Sequence, residues 1–340
     1  MKQPDPAIAE SRQGETDEWQ GCHLCGSRDV HFLWRATDKK FRGAGRFAYR
    51  RCAGCGLVAL HPGLKEEDLA PYYPDHVTAV QPRDNVRQRL KRLVAEDWYG
   101  YGTDRPAVTG WLRKAATFPL RRMLSQLPHR RPGGRVLDIG CGSGGYLAFL
   151  ADLGWACEGI EQGANSRRYA QQELRLTVHS DLRQLQRIPD GCFDVVTMWH
   201  VIEHLADPLQ TLAAVHRVLK PDGLLMLRTP NVESWEARLF GRCWYGVDAP
   251  RHLHLFSPRT LERCLSRAGF VTTDVYYQYH PVDCSRSCLY AVEDAGWGRI
   301  SRFLARWVFL FEALLAACAP LRRAVGRGGA VHVTASKVPA

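Results

Sequence analysis

Two cysteine pairs and two histidine-bearing strings hold most of the chemistry this sequence could perform. Cys22-His23-Leu24-Cys25 and Cys52-Ala53-Gly54-Cys55 are C-x-x-C pairs separated by residues 26–51. Each is followed by a glycine, Gly26 or Gly56, which permits the tight turn whose backbone N–H groups support thiolates. Four thiolates satisfy a tetrahedral zinc ion, and a site with no open coordination position is structural. A redox dithiol is the competing reading, but neither pair lies in a thioredoxin-like strand–helix context. His23 and His61 read as bystanders.

The first histidine string, His200-Val201-Ile202-Glu203-His204, follows the strand expected at 193–198 after a single residue, Trp199. Alone, His200-x-x-Glu203-His204 is an inverted zinc-protease motif, but that chemistry needs it within a helix and a remote glutamate ligand. A general base suits the position better: His200 or His204 takes a proton while Glu203 orients the ring. The plainer alternative is that these side chains cap and pack a helix start. In the second string, Tyr245 offers an aromatic wall, Arg251 a cation for an anionic group, and His252 or His254 another base. Ser257-Pro258 begins a helix, so Ser257 reads as its cap.

Residues 136–146 run from a buried strand through Gly140, Gly142, Gly144 and Gly145 into a helix. Such a loop lets backbone approach a ligand and points free N–H groups at it. Glu161 ends the next strand, where a carboxylate can accept both hydroxyls of a ribose. Spacing alone leaves an NAD(P)-binding oxidoreductase open, since Gly140, Gly142 and Gly145 also fit G-x-G-x-x-G.

The elements that must position these groups alternate. Strands are expected at 135–139, 156–160, 193–198, 224–228, 271–277 and 330–336, with helices at 146–153, 162–174, 207–219 and 258–268. A Lys-Pro-Asp-Gly turn at 220–223 closes the third of these helices. Repeated strand–helix units require crossovers, hence an α/β, doubly wound, Rossmann-like sheet with helices on both faces. The domain reading is a disordered start at 1–20, a zinc-ribbon module at 21–62, a helical linker at 63–130 and a main domain at 131–340. Within the last lies a helical insertion at about 281–329.

Of 340 residues, 45% are hydrophobic and 24% charged, as in an ordinary globular protein. The eight cysteines outside the pairs are scattered, as small buried side chains of a reducing compartment would be. No run is long and apolar enough to span a membrane, so the chain reads as cytoplasmic. The net charge of +11 favours an anionic partner: a substrate, a membrane surface or nucleic acid. The apolar stretch at 303–321 is interrupted by Arg306 and Glu312 and flanked by arginines. Segment 299–323 therefore either lies on a membrane surface or packs as helices over the sheet or in an oligomer contact.

Asp138-Ile139-Gly140-x-Gly142 resembles the first motif of class I S-adenosylmethionine (SAM)-dependent methyltransferases. That resemblance implies a seven-stranded sheet and SAM as cofactor. Gly140, Gly142 and Gly144 would lie against its methionine part, Asp138 near its amino end and Asp181 by its adenine. Phe193-Asp194-Val195-Val196 and Leu219-Lys220-Pro221-Asp222-Gly223 fall where that family has its later strands. The C-x-x-C pairs, Leu69-Ala70-Pro71-Tyr72-Tyr73 and the P-R-H-L-H-x-F-S string at 250–257 resemble bacterial members carrying an N-terminal zinc ribbon. The 200–204 string resembles the E-x-x-E-H pattern of ubiquinone-biosynthesis methyltransferases, which can hold a divalent cation, with His200 in place of the first glutamate. The expected acceptor is a small molecule (anionic, sugar-, quinone- or lipid-linked) methylated at oxygen or carbon. Nucleic acid is disfavoured because no N/D-P-P-Y/F string follows the strand at 193–198.

Overall fold

Phe193–Trp199 has no polar alternation and is buried along all but its last residue, as a central parallel strand with both faces covered must be. It belongs to a seven-stranded sheet. In a computed structural model the described residues are 19, 21–64, 66–73, 86–102, 107–124, 126–317 and 328–338. The strands are β1 (Val30–Ala36), β2 (Phe47–Cys52), β3 (Val58–Leu60), β4 (Arg135–Ile139), β5 (Ala156–Ile160) and β6 (Thr177–His179). They continue with β7 (Phe193–Trp199), β8 (Leu219–Pro230), β9 (His254–Leu255), β10 (Phe270–Gln278) and β11 (Ala330–Lys337). The large sheet has the order β10-β11-β8-β7-β4-β5-β6. β4 runs parallel to β5 and β7, with Ile139 opposite Ile160 and Met198, while β10 and β11 are antiparallel. This is the α/β, doubly wound sheet that the sequence pattern implies.

The chain forms two compact units that interleave along the sequence. One comprises 75–199, 214–226 and 339–340; the other comprises 1–74, 200–213 and 227–338. In the first, Val136, Leu147, Leu150, Trp155 and Val178 make a buried core between strands and the helix Gly145–Asp152. The turn expected at 220–223 is instead the beginning of β8, which follows the helix Pro208–Val218 without a break. Lys220 Nζ reaches both oxygens of buried Asp194, at 2.9 and 2.8 Å, which fixes this end of the strand extended.

The second unit holds a four-stranded sheet in the order β1-β2-β3-β9. Its fourth strand comes from the P-R-H-L-H string: Ala59 pairs with His254 and Val58 with Leu255. Phe47, Tyr49, Leu60, Tyr72, Trp244 and Leu253 join one core, so cysteine module and second histidine string are packed together. The helices Pro281–Asp294, Gly298–Ala305 and Val308–Ala317 precede β11. The expected disordered start (1–18 and 20) and residues 318–327 of the insertion lie outside the described residues. No described helix is long and apolar enough to cross a membrane.

Candidate functional site

In the first unit, the chain leaves β4 through Gly140, Gly142 and Gly144, all with positive φ (71°, 55° and 78°), a conformation glycine adopts at little cost. Gly140 N–H donates to Ile160 O at 2.8 Å, tying the loop to the end of β5. Glu161 braces it: one carboxylate oxygen accepts from Gly142 N–H at 2.7 Å and the other from Gly163 N–H at 2.7 Å. Each oxygen keeps a second lone pair for a hydroxyl. Asp138, at the other flank, is buried and accepts from Thr197 Oγ1 at 2.6 Å. Burial, with nearby Glu161 adding to it, pushes its carboxyl up to about 7. An acidic pair of this kind is relieved by a cation, so the donor set fits the sulfonium and ammonium of SAM.

Gly144 has a different task from Gly140 and Gly142. A Cβ there would stand 2.7 Å from Leu176 Cδ1 and 3.0 Å from Ala170 Cβ, so its bareness serves packing. Asp181 caps the turn Leu182–Arg187 by accepting from Arg183 N–H at 2.8 Å. The Arg183 side chain holds its carboxyl below the usual range.

In the second unit, Cys22, Cys25, Cys52 and Cys55 bring their sulfurs within 4.8 Å of one another. Cys22–Cys55 and Cys25–Cys52 are 3.5 and 3.4 Å apart. A tetrahedral zinc with bonds of about 2.3 Å separates its sulfurs by about 3.8 Å, so these two pairs need only spread slightly. Gly26 N–H and Gly56 N–H turn back onto Cys22 O and Cys52 O at 2.7 and 2.9 Å, the paired knuckles such an ion needs.

The same unit gathers four groups of the two histidine strings. His200 has φ 59°, uncommon for a side-chain-bearing residue. Its Nδ1 lies 3.1 Å from Oε1 of fully buried Glu203. Burial works to raise the Glu203 carboxyl, but His200, His252 and His204 hold it well below the usual range. Facing that carboxylate, His200 Nδ1 carries the proton and Nε2 is left with its lone pair. Burial, with Arg228 and His252, holds the His200 imidazole below its ordinary value. His204 Nδ1 donates to Arg251 O at 3.0 Å and sits 3.0 Å from Tyr73 Oη. Burial and then His252 push it down to about 4. His252 Nδ1 donates to Gly246 O at 2.8 Å, and its ring centre is 4.7 Å from that of His204. Glu203, His204 and His252 each offer a ligand atom within 4.8 Å of the others. Glu203 Oε2 is buried without a hydrogen-bond partner.

Two expectations give way to this geometry. Arg251 is no substrate cation: only 2% exposed, its guanidinium is taken up by Asp38 at 2.8 and 3.1 Å, Asp248 at 2.6 Å and Tyr72 O at 3.1 Å. His254 leaves the histidine cluster, because strand pairing with β3 turns its ring toward His23, 6.0 Å away. Tyr245 stands apart as well, 6.2 Å from Tyr290 and beside Lys39, Lys40 and Arg242 around a small cleft. Asp38 and Tyr73 were not singled out from the sequence. Tyr73 falls in the quoted Tyr72-Tyr73 pair, but Asp38 carries no local signal, its partner being 213 residues away.

The strand order and the braced glycine turn define a class I methyltransferase fold. Residues 111–275 match a family profile described as a methyltransferase domain. A Mycolicibacterium smegmatis protein named a probable S-adenosylmethionine-dependent methyltransferase is 32% identical over 163 residues, covering 46% of this chain and 59% of that one. A ubiquinone biosynthesis O-methyltransferase of Pseudomonas aeruginosa is 38% identical over 106 residues (29% and 45%), and one of Pasteurella multocida 27% identical over 187 residues (48% and 77%). The chain thus spans about half the length of the first two relatives. A solved SAM-dependent methyltransferase of Archaeoglobus fulgidus overlays with a TM-score of 0.42 at 21% identity, covering 66% of this chain and 94% of that one. Over residues 111–275 the chain therefore carries a methyltransferase domain.

Proposed function

We propose that this protein transfers the methyl group of SAM to an oxygen or carbon of a small-molecule acceptor, with His200 as general base. The observation that supports the base is the His200–Glu203 pair: a buried carboxylate fixes the Nδ1–H tautomer and leaves Nε2 to take a proton. Bound SAM would supply the electrophilic methyl. Asp138 and Glu161, with Gly140 and Gly142, would hold it. Asp181 is the reading for adenine and Gly144 for packing behind the loop. His200 would take the acceptor proton as the new bond to the methyl carbon forms and the sulfur–methyl bond of SAM breaks. The electron pair of that bond stays on sulfur, in the neutral thioether of S-adenosylhomocysteine, and His200 would then return the proton to water. The small-molecule class follows the ubiquinone biosynthesis relatives; a quinone, sugar- or lipid-linked hydroxyl suits a neutral imidazole base. One zinc on Cys22, Cys25, Cys52 and Cys55 would hold the module that packs against the histidine string.

A second reading uses the orphaned Glu203 Oε2. With His204 and His252 both donating from Nδ1 to carbonyls, each ring keeps its Nε2 as a ligand atom, that of His252 lying 3.8 Å from Asp248 Oδ2, and the three groups would suit a divalent cation that lowers the pKa of an acceptor hydroxyl.

The test uses tritiated SAM and an extract of the organism that makes the protein, with label in extractable products as readout. His200→Ala should lower turnover about 10²–10⁴-fold and leave SAM affinity intact. His200→Ala turning over like wild type removes the base. Loss of turnover on chelation, restored by Mg²⁺ or Mn²⁺ and abolished in His252→Ala, selects the cation reading.

A further inference from the structure

Two helices near the C-terminal end invert the usual arrangement of a surface helix. Of the 21 large apolar side chains exposed among the described residues, nine lie between Trp297 and Leu314. Trp297 is 61% exposed, Phe303 58%, Trp307 53%, Phe309 60% and Leu314 63%. The polar groups turn inward instead. Ser301 is buried and its Oγ donates to Leu289 O at 3.2 Å, while Glu312, the one acid in 297–317, accepts from buried Ser285 Oγ at 2.7 Å. What remains on the outer face besides apolar groups is cationic: Arg299, Arg302 and Arg306 are exposed. Arg322 and Arg323 follow in the sequence.

We infer that Gly298–Ala305 and Val308–Ala317 form a docking face for an anionic lipid surface. Neither helix can span a bilayer, so the face lies in the interface, tryptophans at headgroup level and phenylalanines and leucines among the acyl chains. Charge complementarity picks this occupant: an apolar patch carrying arginines and no outward acid matches lipid phosphates, on a chain of net charge +11. Nine exposed large apolar side chains between residues 297 and 314 are a concentration uncommon on a protein surface that meets only water. The inference is independent of the methyl-transfer reading, since it uses none of its residues.

Flotation of the full chain with vesicles of phosphatidylcholine, alone or with about a third phosphatidylglycerol, tests it. Wild type should float with the anionic vesicles, far less with the neutral ones, and less again in high salt. Trp307→Glu with Leu310→Glu should reduce binding at least tenfold; both side chains are exposed, so an unchanged melting curve verifies the fold. Arg299→Gln, Arg302→Gln and Arg306→Gln together should cost about fivefold per arginine on anionic vesicles and little on neutral ones. Wild type left in the aqueous fraction with both vesicles overturns the proposal, as does equal binding to both. A dimer by light scattering that Leu310→Glu converts to monomer, without vesicle binding, assigns the face to a second copy instead.

Discussion

Removing the Arg251 guanidinium is the sharpest perturbation this structure offers. Arg251 is 2% exposed, and its side chain bonds Asp38 in two-pronged fashion, Asp248 and a carbonyl. In Arg251→Met the aliphatic bulk stays, but two carboxylates lose their cation. Asp38 keeps N–H donors from Lys40, Phe41 and Gly43 at 3.2, 3.0 and 3.1 Å, which softens the loss. Breaking one side of a buried pair costs about 3–5 kcal/mol, a large part of the roughly 5–15 kcal/mol that holds a domain folded. At about 2–4 °C per kcal/mol, the melting point should drop by roughly 10 °C. Urea unfolding measures the change in free energy directly. Asp38→Asn should be milder, since Asp248 still answers the arginine. The double variant Asp38→Asn with Arg251→Met should be less destabilised than the two single effects added, because no unmatched charge remains between them. Arg251→Met within about 0.5 kcal/mol of wild type would refute the structural role and return the residue to solvent or substrate.

Glu161→Gln should weaken SAM binding in calorimetry by a few kcal/mol, at about 1.5–3 for each hydrogen bond to a charged acceptor; unchanged affinity would remove Glu161 from the ribose site. Saturating SAM, at about a hundred times its dissociation constant, should stabilise the protein by about 2.7 kcal/mol, whereas NADH should leave the melting point still. Purified protein should contain one zinc per chain, and Cys25→Ser should lose it with the order of residues 21–62; four thiols alkylated under native conditions would exclude the ion. Burial, with Arg228, His200 and His280, pushes buried His332 down to about 2. Because the folded value lies below the unfolded value of about 6.5, its contribution is full above that pH and shrinks as acid protonates the unfolded chain, by about 2 kcal/mol between pH 7 and 5. His332→Gln should flatten the urea midpoint over this window, and an unaltered slope contradicts the assignment.

What could be read from the sequence was local. The run 136–146 announces strand, turn and helix because glycine spacing and apolar character are contained in eleven successive residues, and Cys22/Cys25 and Cys52/Cys55 announce knuckles for the same reason. His200 and Glu203 are three apart, so their pairing is within reach of one turn. The failures are long-range. Nothing near Arg251 says that Asp38 will meet it, and a bare Arg-His string reads as available chemistry. His254 looks equivalent to His252, but pairing with Ala59 sends it to the cysteine module. Residues 220–223 carry turn chemistry, yet tertiary contacts of Lys220 with Asp194 keep them extended.

The pairing of β3 with β9 has a consequence for the order in which this protein can be made. Val58 leaves the ribosome roughly 200 residues before Leu255, about 10–40 s at ordinary synthesis rates. Throughout that interval β3 has an open edge, and Tyr49 and Leu60 lack the Leu253 and Leu255 side chains that cover them. The beginning of the chain is therefore among the last parts completed. A nascent fragment ending near residue 130 would carry all four cysteines and an unpaired strand edge, which invites association with another chain or a chaperone until the C-terminal half arrives.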